Sequence, residues 1–255
     1  MRPLLKSRRL QVRRGERQLV SNLDFALHPG ELVAIVGPNG AGKSSLLTAL
    51  AGLLPAEGEI FLQGSALAGL SRRQIARHLG FLAQDNEDPY PATVIETALI
   101  GRHPHIDFWR WESAADHLRA RKALRAVGLA PAAERQVATL SGGERRRLAI
   151  ATLLSQAPRV YLLDEPLEAL DLAFQVKLLR LLRHLAALGG VGVMFSLHDL
   201  SLAARHADRV ILLDGRGKAT LGKPDEVLDP ARLSTIYGCT IRRLEIQGMP
   251  FYLAR

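Results

Sequence analysis

Short apolar runs alternate with amphipathic stretches along most of the chain. The runs over 31–36, 159–163 and 191–196 are apolar almost throughout, as expected of strands that are buried on both faces. Between such runs the periodicity is helical, most clearly over 171–187, where leucines recur along one side. The alternation predicts an α/β protein built around a largely parallel sheet.

The N-terminal segment and the segment beyond Gln84 depart from this pattern. Weak alternation over 4–12 and 22–27 predicts an antiparallel hairpin at the N-terminus. Beyond Gln84 the pattern becomes mostly helical, with helices predicted over 116–127 and 145–155. We therefore expect one folding unit that carries a helical insertion.

The expected domain division follows from these boundaries. We predict a core over 1–84 and 158–237, a helical subdomain over 85–157, and a short C-terminal extension over 238–255.

Composition narrows the class of protein. The chain has 255 residues, 47% of them hydrophobic, which is typical of a globular protein rather than a disordered one. Cys239 is the single cysteine, so an intrachain disulfide framework is excluded. The N-terminus has no apolar run of the secretory type, and the longest uncharged apolar stretch, 185–195, is too short to span a bilayer. These observations favour a protein of the cytoplasm.

The net charge of +9 leaves two interpretations open. A basic chain suits a polyanionic partner such as nucleic acid, an anionic membrane surface or phosphate ligands, but it also describes an ordinary solvated surface. Aromatic residues make up only 5% of the chain, which gives a base-stacking platform little support.

A glycine-rich motif follows the first buried run and precedes a helical stretch. Its residues, with the next serine, are Gly37, Pro38, Asn39, Gly40, Ala41, Gly42, Lys43, Ser44 and Ser45. This is the G-x-x-x-x-G-K-[ST] pattern, whose backbone N–H groups cradle phosphates at a helix N-terminus. Lys43 is expected to neutralise the β- and γ-phosphates, and the Ser44 hydroxyl to ligate Mg²⁺.

Two carboxylates follow a second buried run. Asp164 comes directly after the apolar residues 160–163, so it is expected at the carboxyl edge of the sheet, where open α/β sheets bind ligands. Asp164 can hold Mg²⁺, and Glu165 is positioned to polarise a water for attack on the γ-phosphate. His198 ends another apolar strand and should lie at the same edge.

The segment Leu140-Ser141-Gly142-Gly143-Glu144 precedes a helix. Ser141 and Glu144 have the S-x-x-E spacing of a capping box. A capped helix N-terminus that follows two glycines is also suited to an anion.

Taken in order, these motifs resemble those of the nucleotide-binding subunits of ABC (ATP-binding cassette) transporters, and the resemblance covers essentially the whole chain. It implies a P-loop NTPase fold with an antiparallel hairpin region and a helical subdomain. It also implies a head-to-tail homodimer that encloses two ATP molecules. Each ATP would be held by the phosphate loop of one subunit and by Ser141 and Gly143 of the other.

The resemblance implies further roles. Gln84 would contact Mg²⁺ or the attacking water, Glu165 would act as general base, and His198 would hold the γ-phosphate. Asp171 would contact the other subunit across the dimer. The chain departs from the family at two places. Arg14 precedes Gly15 where an adenine-stacking aromatic residue is usual, and the stretch over 166–171 lacks the Thr and the Asn or Ser often found there, although it keeps Asp171.

The segment over 98–105 and the tail from 237 to 253 are similar to those in ATPases of the iron-siderophore, haem and vitamin B12 importers. This similarity implies transmembrane permease subunits, a substrate-binding protein beyond them, and a peripheral position on the cytoplasmic face of the inner membrane. A soluble ABC ATPase acting on nucleic acid, or a regulatory one, is the alternative that the basic charge leaves open.

Overall fold

The structure is a computed structural model that describes residues 2–84, 91–107 and 109–255. In chain order its strands are β1 (Leu5–Arg14), β2 (Arg17–Leu27), β3 (Leu32–Val36), β4 (Glu57–Leu62), β5 (Ser65–Ala66), β6 (Leu79–Leu82), β7 (Val160–Leu163), β8 (Gly192–Ser196), β9 (Arg209–Leu213), β10 (Ala219–Gly222), β11 (Ile241–Ile246) and β12 (Met249–Ala254).

The helices are α1 (Lys43–Leu50), α2 (Arg72–His78), α3 (Val94–Ile100), α4 (Ala114–Ala126), α5 (Gly142–Gln156), α6 (Leu172–Gly189), α7 (Leu200–His206), α8 (Pro224–Val227) and α9 (Pro230–Tyr237).

A six-stranded sheet forms the centre of the molecule, in the order β10-β9-β3-β8-β7-β6. The strands from β9 to β6 pair in parallel, and only β10 pairs antiparallel, with β9. The predicted α/β class with a largely parallel sheet is confirmed.

The position of β3 in the sheet explains why its sequence is apolar throughout. Leu32, Ala34 and Val36 belong to the hydrophobic core that contains α3 to α7, whereas Val33 and Ile35 belong to the core beneath α1 and the N-terminal strands. Since both faces of the sheet are covered, every residue of β3 is buried, and apolar side chains are favoured along the whole strand.

The predicted N-terminal hairpin is present and is longer than the alternation indicated. Strands β1 and β2 pair antiparallel up to Arg14 and Arg17, so that only Gly15 and Glu16 form the turn. With β4 and β5 they make a four-stranded antiparallel sheet, whose core side contacts α1.

Helices α3, α4 and α5 pack against one another. Arg102, just after α3, is 2% exposed, and it pairs with Asp116 at 3.0 Å and donates to the Ser155 carbonyl oxygen at 2.7 Å. The Ser113 hydroxyl and the Arg102 guanidinium lower the pKa of Asp116 to about 2. One buried cation thus connects all three helices.

The pattern did not predict the C-terminal hairpin of β11 and β12, which packs on α7 through β12. It also did not predict β6, which is the edge strand of the central sheet and has four residues. Within the described residues, no helix has the length and apolar character needed to cross a membrane.

Candidate nucleotide-binding and hydrolysis site

The glycine-rich segment connects the end of β3 to the start of α1. Gly37 has φ of 152°, and a Cβ atom there would lie 2.5 Å from the Leu213 carbonyl oxygen. Gly42 has φ of 103°, and its Cβ would lie 2.8 Å from the Leu19 side chain. Both positions therefore require glycine for conformation and for space. The predicted strand–loop–helix context of the motif is confirmed.

Lys43 is 5% exposed and lies across the inside of this loop. Its ammonium group donates to the carbonyl oxygens of Gly37 at 3.0 Å and Pro38 at 3.3 Å. Burial lowers the pKa of Lys43, and the nearby Glu165 and Asp164 carboxylates partly oppose that shift. The loop thus holds a cation within electrostatic range of the two strand-end carboxylates.

Asp164 and Glu165 directly follow β7, and both are buried. Ser196, at the end of neighbouring β8, donates its hydroxyl hydrogen to Asp164 Oδ1 at 2.7 Å and accepts from the Glu165 backbone N–H at 2.7 Å. Glu165 has φ of 46°, a left-handed conformation that is unusual for a residue with a side chain. Sequence reasoning did not identify Ser196, because a serine within an apolar strand is not by itself a signal.

The Glu165 carboxylate is shared by two other predicted residues. His198 Nε2 lies 2.6 Å from Glu165 Oε1. Gln84 Nε2 donates to Glu165 Oε2 at 3.1 Å and to Glu168 Oε2 at 3.2 Å. An open cavity of about 360 Å³ borders Glu165 and His198. The structure thus brings together residues that are far apart in the chain.

The capping box at the start of α5 is present as predicted. The Ser141 hydroxyl accepts from the Glu144 N–H at 3.3 Å, and the Ser141 N–H donates to Glu144 Oε2 at 2.8 Å. The hydrogen bonds that the Glu144 carboxylate receives from the Ser141 backbone and side chain lower the pKa of Glu144. The tip of the helix is exposed at Ser141 and Gly142, and a Cβ atom added to Gly142 would meet nothing within 4 Å.

Gly143 lies against the loop after Glu165, and Asp171 lies where that loop ends and α6 begins. A Cβ atom at Gly143 would lie 3.0 Å from the Ala169 carbonyl oxygen. Asp171 Oδ1 accepts from the Phe174 N–H at 2.8 Å and so caps α6. Both residues therefore have a local structural role beside the one that the resemblance implies.

Two arginines that sequence reasoning did not single out lie close to these groups. Arg17 donates to the Gly215 carbonyl oxygen at 3.0 Å, and its Nη1 would lie 3.9 Å from a Cβ atom added to Gly40. Arg14 lies opposite Arg17 in the strand register at the hairpin turn. Arg146 on α5 is 6% exposed and contacts backbone at the ends of β6 and β7.

A parallel sheet, a glycine loop between strand and helix, a buried lysine and two strand-end carboxylates define a P-loop nucleotide-binding protein. The ABC transporter family model matches residues 20–168. The chain belongs to the ABC transporter family and is an ATPase subunit of it.

Relatives of known name cover nearly the whole chain. The hemin import ATP-binding protein HmuV of Myxococcus xanthus is 39% identical over 254 residues, covering 96% of this chain and 94% of the relative. The ferric enterobactin transport ATP-binding protein FepC of Escherichia coli is 37% identical, covering 96% and 92%.

A solved structure supports the same family. A metal-chelate-type ABC transporter in an inward-facing conformation has a chain that matches with a TM-score of 0.85 and 26% identity, covering 99% of this chain and 98% of that one. The predicted P-loop NTPase fold of the ABC type is confirmed.

Proposed function

We propose that this chain is the ATP-hydrolysing subunit of an importer that takes up a metal chelate, such as an iron-siderophore complex, haem or cobalamin. The proposal draws on relatives named for hemin and ferric enterobactin import and on a structural neighbour of the metal-chelate type. The chain covers more than nine tenths of both named relatives, so the likeness is not confined to a shared module.

The site suggests how hydrolysis proceeds. The loop and Lys43 bind the β- and γ-phosphates, and Glu165 accepts a proton from the attacking water. His198, which contacts one oxygen of the Glu165 carboxylate, holds the γ-phosphate in this proposal. Catalysis then consists of positioning and charge stabilisation of phosphoryl transfer to water.

The oxygen donors near the loop fit Mg²⁺, which prefers hard oxygen ligands. Asp164 is held by Ser196 through one carboxylate oxygen, and Ser44 opens α1 next to Lys43. The Gln84 amide nitrogen faces two carboxylates, which leaves its amide oxygen as the third donor. Bound there, Mg²⁺ would neutralise phosphate charge during transfer.

A second copy of the chain completes the site in this proposal. The first turn of α5, exposed at Gly142, offers the backbone N–H groups of Gly142 and Gly143, which have no intrahelical acceptor. In a head-to-tail homodimer, that tip and Gly143 contact the nucleotide held by the partner's loop, and Asp171 lies at the contact. The subunits associate with transmembrane permease subunits, and through them with a substrate-binding protein, at the cytoplasmic face of the membrane.

The observation that carries the proposal is the Glu165 carboxylate, buried between His198 and Gln84 beside the Lys43 loop. Its test is Glu165→Gln, with exposed Glu134→Gln on the helical side as the matched control. We expect Glu165→Gln to slow ATP hydrolysis by roughly 10²–10⁴-fold, the range of a general base. The variant should also form a dimer in ATP during gel filtration.

Hydrolysis by Glu165→Gln at the rate of Glu134→Gln would contradict the assigned base. Copurification of a multi-helix membrane protein with the wild-type chain supports the importer. Salt-sensitive binding to DNA or RNA without such a protein would instead favour the nucleic-acid ATPase that the charge of +9 left open.

A further inference from the structure

Three consecutive arginines lie one turn into α5, and only the middle one is buried. Arg146 is 6% exposed, Arg145 is exposed and Arg147 is half-buried. Successive helical residues point about 100° apart, so only one of three neighbours can face the sheet. A buried arginine needs hydrogen-bond partners, and Arg146 finds them in backbone carbonyl groups.

The Arg146 guanidinium contacts two strand ends at once. Nη1 donates to the carbonyl oxygens of Ala83 at 2.6 Å and Gln84 at 3.1 Å. Nη2 donates to the carbonyl oxygens of Asp164 at 2.6 Å and Glu165 at 2.8 Å. The first pair follows β6 and the second follows β7, which are adjacent strands of the central sheet.

The contact with Glu165 bears on a constrained backbone. Glu165 has a left-handed φ of 46°, which is an unfavourable conformation for a residue with a side chain. Its N–H is bonded to Ser196 and its carbonyl oxygen to Arg146. These two bonds hold both peptide groups that flank the Glu165 side chain, so they fix the direction of the Cα–Cβ bond from which its carboxylate extends.

We propose that Arg146 is a positioning residue that couples the two nucleotide sites of the dimer. The inference rests on the proposed function, in which the tip of α5 contacts the nucleotide bound by the partner subunit. The same helix holds, through Arg146, the backbone of Gln84 and Glu165 in its own subunit. Closure of one site is thereby transmitted to the catalytic carboxylate of the other.

The path of transmission is short and stiff. Gly142 and Arg146 are four residues apart on one helix, a rise of about 6 Å. A helix moves as a unit, so displacement of its tip carries the guanidinium fork with it. Four hydrogen bonds from one planar group resist separation of the fork from the two strand ends, whereas a lysine ammonium could satisfy fewer of those carbonyls.

The experiment compares Arg146→Gln and Arg146→Lys with Arg125→Gln, an exposed arginine of α4. Rates of ATP hydrolysis by the full chain are measured against ATP concentration, and ATP affinity is measured by calorimetry. Wild type and Arg125→Gln should show a Hill coefficient above 1, the mark of two coupled sites. Arg146→Gln should lower kcat by about 10²-fold and reduce the Hill coefficient to about 1, with ATP affinity within about threefold of wild type.

Arg146→Lys should fall between the two, because it keeps the charge and loses the fork. A Hill coefficient of about 1 in wild type, or a value retained by Arg146→Gln, would overturn the coupling. Parallel loss of ATP affinity and kcat would also overturn it, since that result indicates damage to the fold or loop. The proposed function fails separately, if the wild-type chain hydrolyses no ATP.

Discussion

The two regions suited to anions are built in different ways. At the loop before α1, glycines are demanded by the chain's own packing, since a Cβ atom at Gly37 would clash with the Leu213 carbonyl oxygen. At the tip of α5, Gly142 has open space around it and a backbone conformation that any residue can adopt. Nothing within the described part of the chain requires glycine there.

The loop before α1 and the tip of α5 also differ in their charged groups. The loop has Lys43 inside it and Asp164 and Glu165 within electrostatic range. At the helix tip, the Ser141 hydroxyl accepts from the Glu144 N–H and the Glu144 carboxylate accepts from the Ser141 N–H in the capping box. One chain therefore supplies the charged groups of the loop before α1. At the tip of α5, a glycine becomes necessary only when another molecule approaches it. This contrast supports the head-to-tail dimer that we propose.

The largest effect is expected for Lys43→Ala, with exposed Lys122→Ala on α4 as control. Because Lys43 is the cation buried inside the loop, its removal should weaken ATP binding by about 10²-fold or more in calorimetry. Lys122→Ala should bind as wild type. Micromolar affinity retained by Lys43→Ala would show that the loop alone does not hold the phosphates.

Gly142→Ala should affect the tip of α5 and leave the loop before α1 unchanged. We compare it with Gly69→Ala, which also has open space and an ordinary backbone conformation. Since neither methyl group meets this chain, both variants should keep the stability and ATP affinity of wild type. Only Gly142→Ala should lose hydrolysis, by roughly tenfold, if the partner's nucleotide must approach that Cα atom closely.

Steady-state ATP hydrolysis and chemical denaturation of the two glycine variants provide the measurement. Equal rates for Gly142→Ala and Gly69→Ala would contradict the close approach and weaken the case for the dimer.

A smaller effect is expected for Ser196→Ala, which removes only the hydroxyl that holds Asp164 and the Glu165 backbone. Loss of the hydroxyl leaves the Glu165 N–H without its bond and frees the Asp164 carboxylate, costing about 2 kcal/mol of unfolding free energy. We expect kcat to fall by roughly tenfold with ATP affinity unchanged.

Ser155→Ala is the matched control, because Ser155 is buried and its hydroxyl has no hydrogen-bond partner among the described residues. It should keep full activity. If both variants lose the same activity, Ser196 has no special role in holding Glu165.

Much of the fold was predictable because the signals are local. Strand β3, the glycine loop and α1 follow one another without interruption, and burial on both faces leaves an unmistakable apolar run. The capping box at Ser141 is equally local, since both its hydrogen bonds lie within three residues. The hairpin of β11 and β12 was missed, because most of its residues are exposed and its pattern is weak.

The division into core, helical subdomain and C-terminal extension stays a prediction, as do the roles of the individual site residues. The boundary predicted between the core and the helical subdomain, at 84–85, adjoins residues 85–90, which lie outside the described part of the chain.

Local sequence was enough to predict the strand–loop–helix motif, the two carboxylates after β7, and the capped start of α5, because each depends on neighbours within a few positions. Packing between distant segments makes Gln84 and His198 share the Glu165 carboxylate, and it buries Arg146 rather than its neighbours. Gln84 is 81 residues from Glu165, and no local pattern records that pairing. Those contacts exist because parallel strands bring their carboxyl ends to one edge, and packing selects which side chains meet there.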